Sequence, residues 1–165
     1  MSPGWAILFS IGICVLAAAL EGACAGSNVK QFFATLKFPR YSAPLWIWSI
    51  IGGLYYVIFW FVLYRLFRLT TNSPLWDATL ALMLFMMTVN GLSNYVIFRA
   101  KNLWLSYMIG NVFPIMDVVL LVCLVQLDTV AARSLVPYLI YRAYAVWWGY
   151  ALWKTNRDGQ HLKWS

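Results

Sequence analysis

Charge is what this sequence has least of: 165 residues carry 12 Lys and Arg and 5 Asp and Glu, so that 10% of the chain is charged. Soluble domains are about a quarter charged and about half apolar. Here 63% is hydrophobic and the mean hydropathy is +0.73. So few charges could not cover so much apolar surface in water, which excludes a soluble fold and makes lipid the solvent of the outer face. Histidine is scarcer still. His161 is the only one, and it sits in a polar tail far from any apolar run. The acidic residues, Glu21, Asp77, Asp117, Asp128 and Asp158, are scattered along the chain. With no carboxylate pair, no Cys/His dyad and no Gly-rich phosphate loop, the sequence offers no catalytic constellation, and the reading leans against an enzyme. Cys14, Cys24 and Cys123 lack metal-ligand spacing and read as small hydrophobes in or beside apolar runs, so no metal site is expected.

What is there is a set of long apolar runs. A spanning helix needs about 20 mainly apolar residues, because each rises about 1.5 Å across a core about 30 Å thick. Five segments qualify, at about 5–25, 44–67, 75–98, 103–127 and 131–153, and predict an all-α bundle of five transmembrane helices in a single domain. Gly26-Ser27-Asn28, Thr71-Asn72-Ser73-Pro74 and Arg99-Ala100-Lys101-Asn102 punctuate the breaks, and Asp128-Thr129 makes a very short turn before the fifth segment. The long loop 26–43 holds Phe32, Phe33, Phe38, Pro39 and Tyr41, too apolar for a solvated linker, so it is expected to lie at the interface or to fold over one end of the bundle. Residues 154–165 read as a polar tail.

The net charge of +7 does not point to nucleic acid, because the basic residues lie between apolar runs, as topology determinants do. Lys30, Lys37, Arg40, Arg99, Lys101, Lys154, Arg157 and Lys163 fall on one side and Arg65, Arg68 and Arg133 on the other. The positive-inside rule then puts the long loop and the C-terminus in the cytosol and the N-terminus outside. Ala23-Cys24-Ala25 has the small-residue spacing of a signal-peptide cleavage site, but no Lys or Arg precedes the apolar stretch and Glu21 stands just before the cut, so a retained first helix is expected. Gly22 and Gly26 form a small-xxx-small pair suited to close helix packing.

Several stretches resemble the translocator protein family, also called TspO, the tryptophan-rich sensory proteins or the peripheral benzodiazepine receptors. Gln126-Leu127-Asp128-Thr129, Ala131-Ala132 and Val136-Pro137-Tyr138-Leu139-Ile140-Tyr141 resemble its fourth-to-fifth-helix region. Tyr150-Ala151-Leu152-Trp153-Lys154-Thr155-Asn156 is similar to the end of its fifth helix, and Pro39-Arg40-Tyr41-Ser42-Ala43-Pro44-Leu45-Trp46 to its first loop entering helix two. Asn90 and Phe98 fall where helix three of the family carries an Asn and an aromatic. The chain departs from the pattern at Ser93, where relatives usually have Trp, at Gly149, where they have Asn, at Tyr141, a frequent Trp, and at Pro39, all that remains of a double proline. The resemblance implies a cavity within the bundle, lidded by the first loop and holding hydrophobic ligands, tetrapyrroles such as haem or protoporphyrin foremost. The implied role is a membrane receptor or carrier in transport or stress signalling, with no obligatory cofactor, and a homodimer. A sterol-binding transporter and a membrane enzyme that degrades porphyrins, with Trp residues as redox partners, are the alternatives.

Four groups of residues are the candidates for such a site. Asp117 and Arg142 are charges deep within spans, where each costs several kcal/mol unless paired. They lie at similar distances either side of the Asp128-Thr129 turn, and therefore at similar depth. Either Arg142 offers a cation to an anionic ligand with Asp117 positioning it, or the two form a structural ion pair. Asn90 and Asn94, with Ser93 beside them, either bond across helices or line a polar patch. Phe38, Tyr41, Trp46, Trp48, Trp104, Tyr138, Tyr141 and Tyr144, with Pro39 and Pro137 in the matched segments, either wall an aromatic cavity or serve as an interfacial belt. Val146, Tyr150 and Lys154 fit a proposed cholesterol pattern or a plain lipid-facing anchor.

Overall fold

The structure is a computed structural model that describes residues 1–69 and 73–160. Thr71, Asn72, His161 and Lys163 lie outside the described residues, as does the side chain of Asp158. Six α-helices follow one another: α1 (Pro3–Ala25), α2 (Val29–Ala34), α3 (Leu45–Arg68), α4 (Pro74–Asn94), α5 (Leu103–Leu127) and α6 (Thr129–Gln160), with a π-helical turn, Tyr95–Arg99, closing α4. There is no strand among the described residues.

Among the described residues, four helices are long and apolar enough to cross a membrane: Pro3–Ala25, Leu45–Arg68, Pro74–Arg99 and Leu103–Leu127. The architecture is therefore all-helical with four candidate spans, while the expected fifth span does not meet the same standard. Its helix, α6, is the longest of the six and is rich in Tyr and Trp, and Arg133, Arg142, Lys154 and Arg157 lie along it. Such amphipathic rings favour interfaces and cavity walls over lipid tails. The reading of residues 154–165 as a tail needs correcting too: α6 runs on to Gln160. Thr155 and Asn156 do not break it, because their side chains donate back to the carbonyls of Ala151 and Leu152 at 2.8 Å each.

Helix ends are set by local chemistry. Ser73 caps α4, its Oγ accepting from Trp76 N at 3.2 Å with Pro74 at the first helical position. Asn102 caps α5 by accepting from Leu105 N at 2.9 Å. Helix α1 stops at Gly26, whose φ of +73° suits a residue without Cβ. The π turn brings Phe98 to the two Phe rings of α2 and Arg99 to the end of α1, where its guanidinium donates to Cys24 O (3.1 Å) and Ala23 O (2.7 Å). A cation on the last carbonyls of a helix also complements its dipole.

The expected close packing at Gly22 is absent: a Cβ there would meet nothing within 4 Å. Gly91 of α4 has that role instead, where a Cβ would come within 3.1 Å of Leu20 on α1. Apolar residues around Phe59, Leu63, Leu66, Met83, Leu120 and Leu124 form the larger core, toward the α5–α6 turn. A smaller cluster of Phe32, Phe33, Leu103, Trp148 and Leu152 gathers under the first loop.

The α5–α6 turn is held by one carboxylate. Asp128 accepts from Arg65 Nε at 2.7 Å and Nη2 at 3.0 Å, and its Oδ1 also accepts from Val130 N and Ala131 N at 2.9 and 3.1 Å. The side chain thus caps α6 and ties it to the end of α3. Desolvation pushes the Asp128 carboxyl up, but the Arg65 guanidinium and the two backbone donors outweigh it and hold the group below its ordinary 3.8. A folded-state value below the unfolded one means stabilisation that is complete above about pH 4 and is lost as pH falls through the folded value. Asp128→Asn should therefore lower stability by about 2 kcal/mol, after allowance for the partial exposure of Arg65. Thermal unfolding in detergent would show a midpoint roughly 4–8 °C lower at neutral pH. The difference should shrink as both proteins are taken below pH 4.

Candidate functional site

Between the two apolar clusters lies a cavity of about 550 Å³ bounded by residues of α1 to α6. That volume is within the range of small-molecule sites. Its walls are aromatic. Trp48 of α3 and Trp148 of α6 sit 4.5 Å apart between ring centroids, and Phe33, Phe98, Tyr107 and Tyr141 are among the other rings of the lining.

The loop end is strapped to α6. Asn156 Nδ2 donates to Lys37 O and Asn156 Oδ1 accepts from Lys37 N, both at 2.9 Å. Trp148 Nε1 donates to Ser42 Oγ at 2.7 Å, and Tyr144 donates its hydroxyl to Tyr41 O at 2.9 Å while accepting from Ala43 N at 3.2 Å. Neither Trp148 nor Asn156 is legible as a site residue in the sequence, because the register of the loop against α6 is a tertiary fact. Under the strap, Phe38 stacks on Phe33 at 5.8 Å, and Phe38 and Pro39 line a smaller recess of about 290 Å³ that shares Phe33, Leu45 and Trp48 with the main cavity.

Polar groups enter the cavity from two directions. On α6, Arg142 packs its guanidinium over the Phe113 ring at 4.4 Å, donates to the Tyr138 hydroxyl one turn earlier, and lies 3.3 Å from Asp117 through Nε. Asp117 is 1% exposed and does not line the cavity; it stands behind Arg142. The contact is a charge pair without hydrogen-bond alignment, since neither carboxylate oxygen nor Arg142 Nε has a hydrogen-bond partner among the described residues. On the other side, Glu21 of α1 accepts from the Tyr56 hydroxyl at 2.6 Å and from Asn90 Nδ2 at 3.5 Å. In sequence, Glu21 has no feature beyond its place near a cleavage-like motif, so a role in the cavity was not visible there. Ser93 and Asn94 each donate to Asn90 O, at 2.7 and 3.0 Å, and also face the cavity.

The sequence candidates thus divide. Asn90, Tyr138, Tyr141, Arg142 and Val146 line the main cavity. Seven of the expected wall residues do not: Phe38 and Pro39 line the smaller recess, the Tyr144 hydroxyl serves the strap, and four more lie elsewhere. Trp46 is 63% exposed on α3, Trp104 packs outside against Trp153 at 4.7 Å, Pro137 is exposed on α6, and exposed Tyr41 contributes its carbonyl to the strap. Tyr150 and Lys154 likewise lie on the outer side, where Tyr150 meets Tyr107 and Trp153 and the Lys154 ammonium sits over its ring at 5.8 Å, so Val146 alone of that trio reaches the cavity. No cluster of His, Cys, Asp and Glu able to hold a metal occurs among the described residues.

The sequence model described as the TspO/MBR family matches residues 10–154. The chain belongs to the TspO/MBR family. A search of curated proteins finds no match. The matched region takes in every helix around the cavity, and membership makes this a membrane protein of a ligand-binding or transport family. Three of the positions at which the chain departs from the family pattern, Ser93, Tyr141 and Gly149, line the cavity. The small side chains at 93 and 149 widen it, and at Gly149 a Cβ would only come into ordinary contact with Tyr107, at 3.7 Å.

The buried pair sets a test of its own. Arg142→Gln strands a buried carboxylate without its charge partner and should cost about 3–5 kcal/mol in unfolding experiments. Adding Asp117→Asn to that variant removes the stranded charge and should restore most of the loss. A double variant as unstable as the single one would show that the pair is not coupled.

Proposed function

We propose that this TspO/MBR protein is a membrane receptor or carrier for flat hydrophobic ligands bearing an acidic group, with tetrapyrroles such as protoporphyrin or haem as the leading class. The observation that carries the reading is an aromatic-walled cavity with a guanidinium on its lining. A planar macrocycle gains from stacking on Trp48 and Trp148, and Arg142, held over the Phe113 ring, offers N–H donors to a propionate. The first loop is the lid, and its straps to α6 are the contacts that have to open for entry. α6 is the fifth span, with its arginine paired inside the bundle rather than facing lipid. The excess of Lys and Arg at the loop end supports a cytosolic location for that end, and a second copy of the chain is the expected partner in the bilayer.

Titration of the purified protein with protoporphyrin should quench Trp fluorescence. The Asp117→Asn, Arg142→Gln double variant, which leaves no unpaired charge behind, should bind about tenfold or more weakly, the value of one charge-assisted hydrogen bond. Protoporphyrin dimethyl ester should bind both proteins alike. Equal affinity of both proteins for the free acid would overturn the role of Arg142, and no quenching by protoporphyrin or haem would overturn the ligand class.

A further inference from the structure

The pole of the cavity opposite Arg142 has no part in holding an anionic ligand, and a carboxylate there works against one. Glu21 is half-buried near the loop end of α1 and lines the cavity. Both of its hydrogen bonds, from Tyr56 and Asn90, end on Oε2, which leaves Oε1 without a hydrogen-bond partner among the described residues. It forms no ion pair there either. Arg99, at the same end of α1, is engaged with the Ala23 and Cys24 carbonyls, and Arg142 is ion-paired with Asp117 rather than with Glu21. With only Oε2 satisfied, this half-buried carboxylate still lacks a positive partner, which is costly for a charge held out of bulk water.

A second orphan stands between the poles. Tyr55 is 93% buried and its hydroxyl has no hydrogen-bond partner among the described residues, although the residue lines the cavity. Its ring lies 5.0 Å from Tyr56 on the Glu21 side and 5.5 Å from Tyr138 on the Arg142 side. The cavity therefore runs from an acceptor pole (Glu21 with Tyr56 and Asn90) across tyrosine rings to a donor pole (Arg142 with Tyr138).

The geometry points to Glu21 as a subsite for a protonated nitrogen, so that the cavity takes an amphiphile carrying a basic nitrogen at one end and an anionic group at the other. This inference rests on the cavity being a ligand site, as proposed above, and assigns to it a second recognition element. A cation at Glu21 satisfies Oε1, and the aromatic rings around it favour positive charge over a neutral group of the same shape. Tyr56 and Asn90 are positioning residues: by donating to Oε2 they hold the carboxylate with Oε1 free.

Three probes with one flat core separate the terms: 9-aminomethylanthracene, 9-anthracenemethanol and 9-anthracenecarboxylate, with binding read by energy transfer from Trp in detergent micelles. Wild-type protein should bind the amine at least tenfold more tightly than the alcohol. In Glu21→Gln that ratio should fall to within twofold, and carboxylate binding should hold or tighten. The Asp117→Asn, Arg142→Gln double variant should keep the amine preference and lose affinity for the carboxylate. Should Glu21→Gln fail to fold, Tyr56→Phe, which frees the carboxylate from its main hydrogen bond, should reduce the amine preference severalfold. A wild-type protein that binds amine and alcohol equally, or a preference that survives Glu21→Gln, overturns the subsite. Protoporphyrin binding that persists in either case shows that the failure belongs to the subsite alone, whereas a protein that binds neither porphyrin nor any anthracene overturns both readings.

Discussion

A polar side chain at membrane depth has to find its partner within the protein, because hydrocarbon offers none. This chain has few such groups, and the arrangement of its helices follows from where each one is satisfied. Arg65 and Asp128 join α3 to the α5–α6 turn, and the same carboxylate starts α6 by capping it. Asp117 and Arg142 hold α5 against α6 in mid-helix. Glu21, Tyr56 and Asn90 tie α1, α3 and α4 together on the opposite wall. In lipid, apolar packing alone distinguishes weakly between one helix arrangement and another, so these few polar links set the register.

The cavity is a consequence of the same economy. The larger core is closed by Phe, Leu and Met side chains that meet at van der Waals distance, whereas toward the loop the facing residues are glycine, serine and asparagine on one hand and rings on the other. Rings cannot collapse into the space left by Gly52, Ser93, Gly110 and Gly149, and a volume remains. The loop covers it without filling it. Phe32 and Phe33 of α2 anchor the cover on Phe98, and the hydrogen bonds from Tyr144, Trp148 and Asn156 fix its far half on α6. The cover is thus held by ring contacts to Phe98 on one half and by hydrogen bonds to α6 on the other.

Much of this was legible in the residues themselves. Four apolar runs are long enough that no other element could carry them, and they form spans because each residue adds a fixed rise and the backbone must bond to itself in lipid. The Asp128-Thr129 turn is short enough to force α5 and α6 into an antiparallel hairpin. The matched stretches around Pro137-Tyr138 and Pro39 to Trp46 carried the family. Less was legible of the fifth segment, where Tyr, Trp and Arg blur hydropathy, and of helix faces: Trp46 and Trp104 had the right chemistry for a cavity wall and point away from it.

Composition and periodicity by themselves determined the solvent, the helical class and the lengths of the elements, since these depend on each segment's own transfer free energy and hydrogen bonding. Tertiary structure alone decided which side chains share a space. The rotation of each helix about its axis, the one-residue shift introduced by the π turn and the seating of the loop on α6 are set by packing between segments distant in sequence. That is why Glu21, a residue without any motif of its own, ends opposite Arg142 across the cavity, and why the two charges the sequence placed in different helices become the two ends of one candidate site.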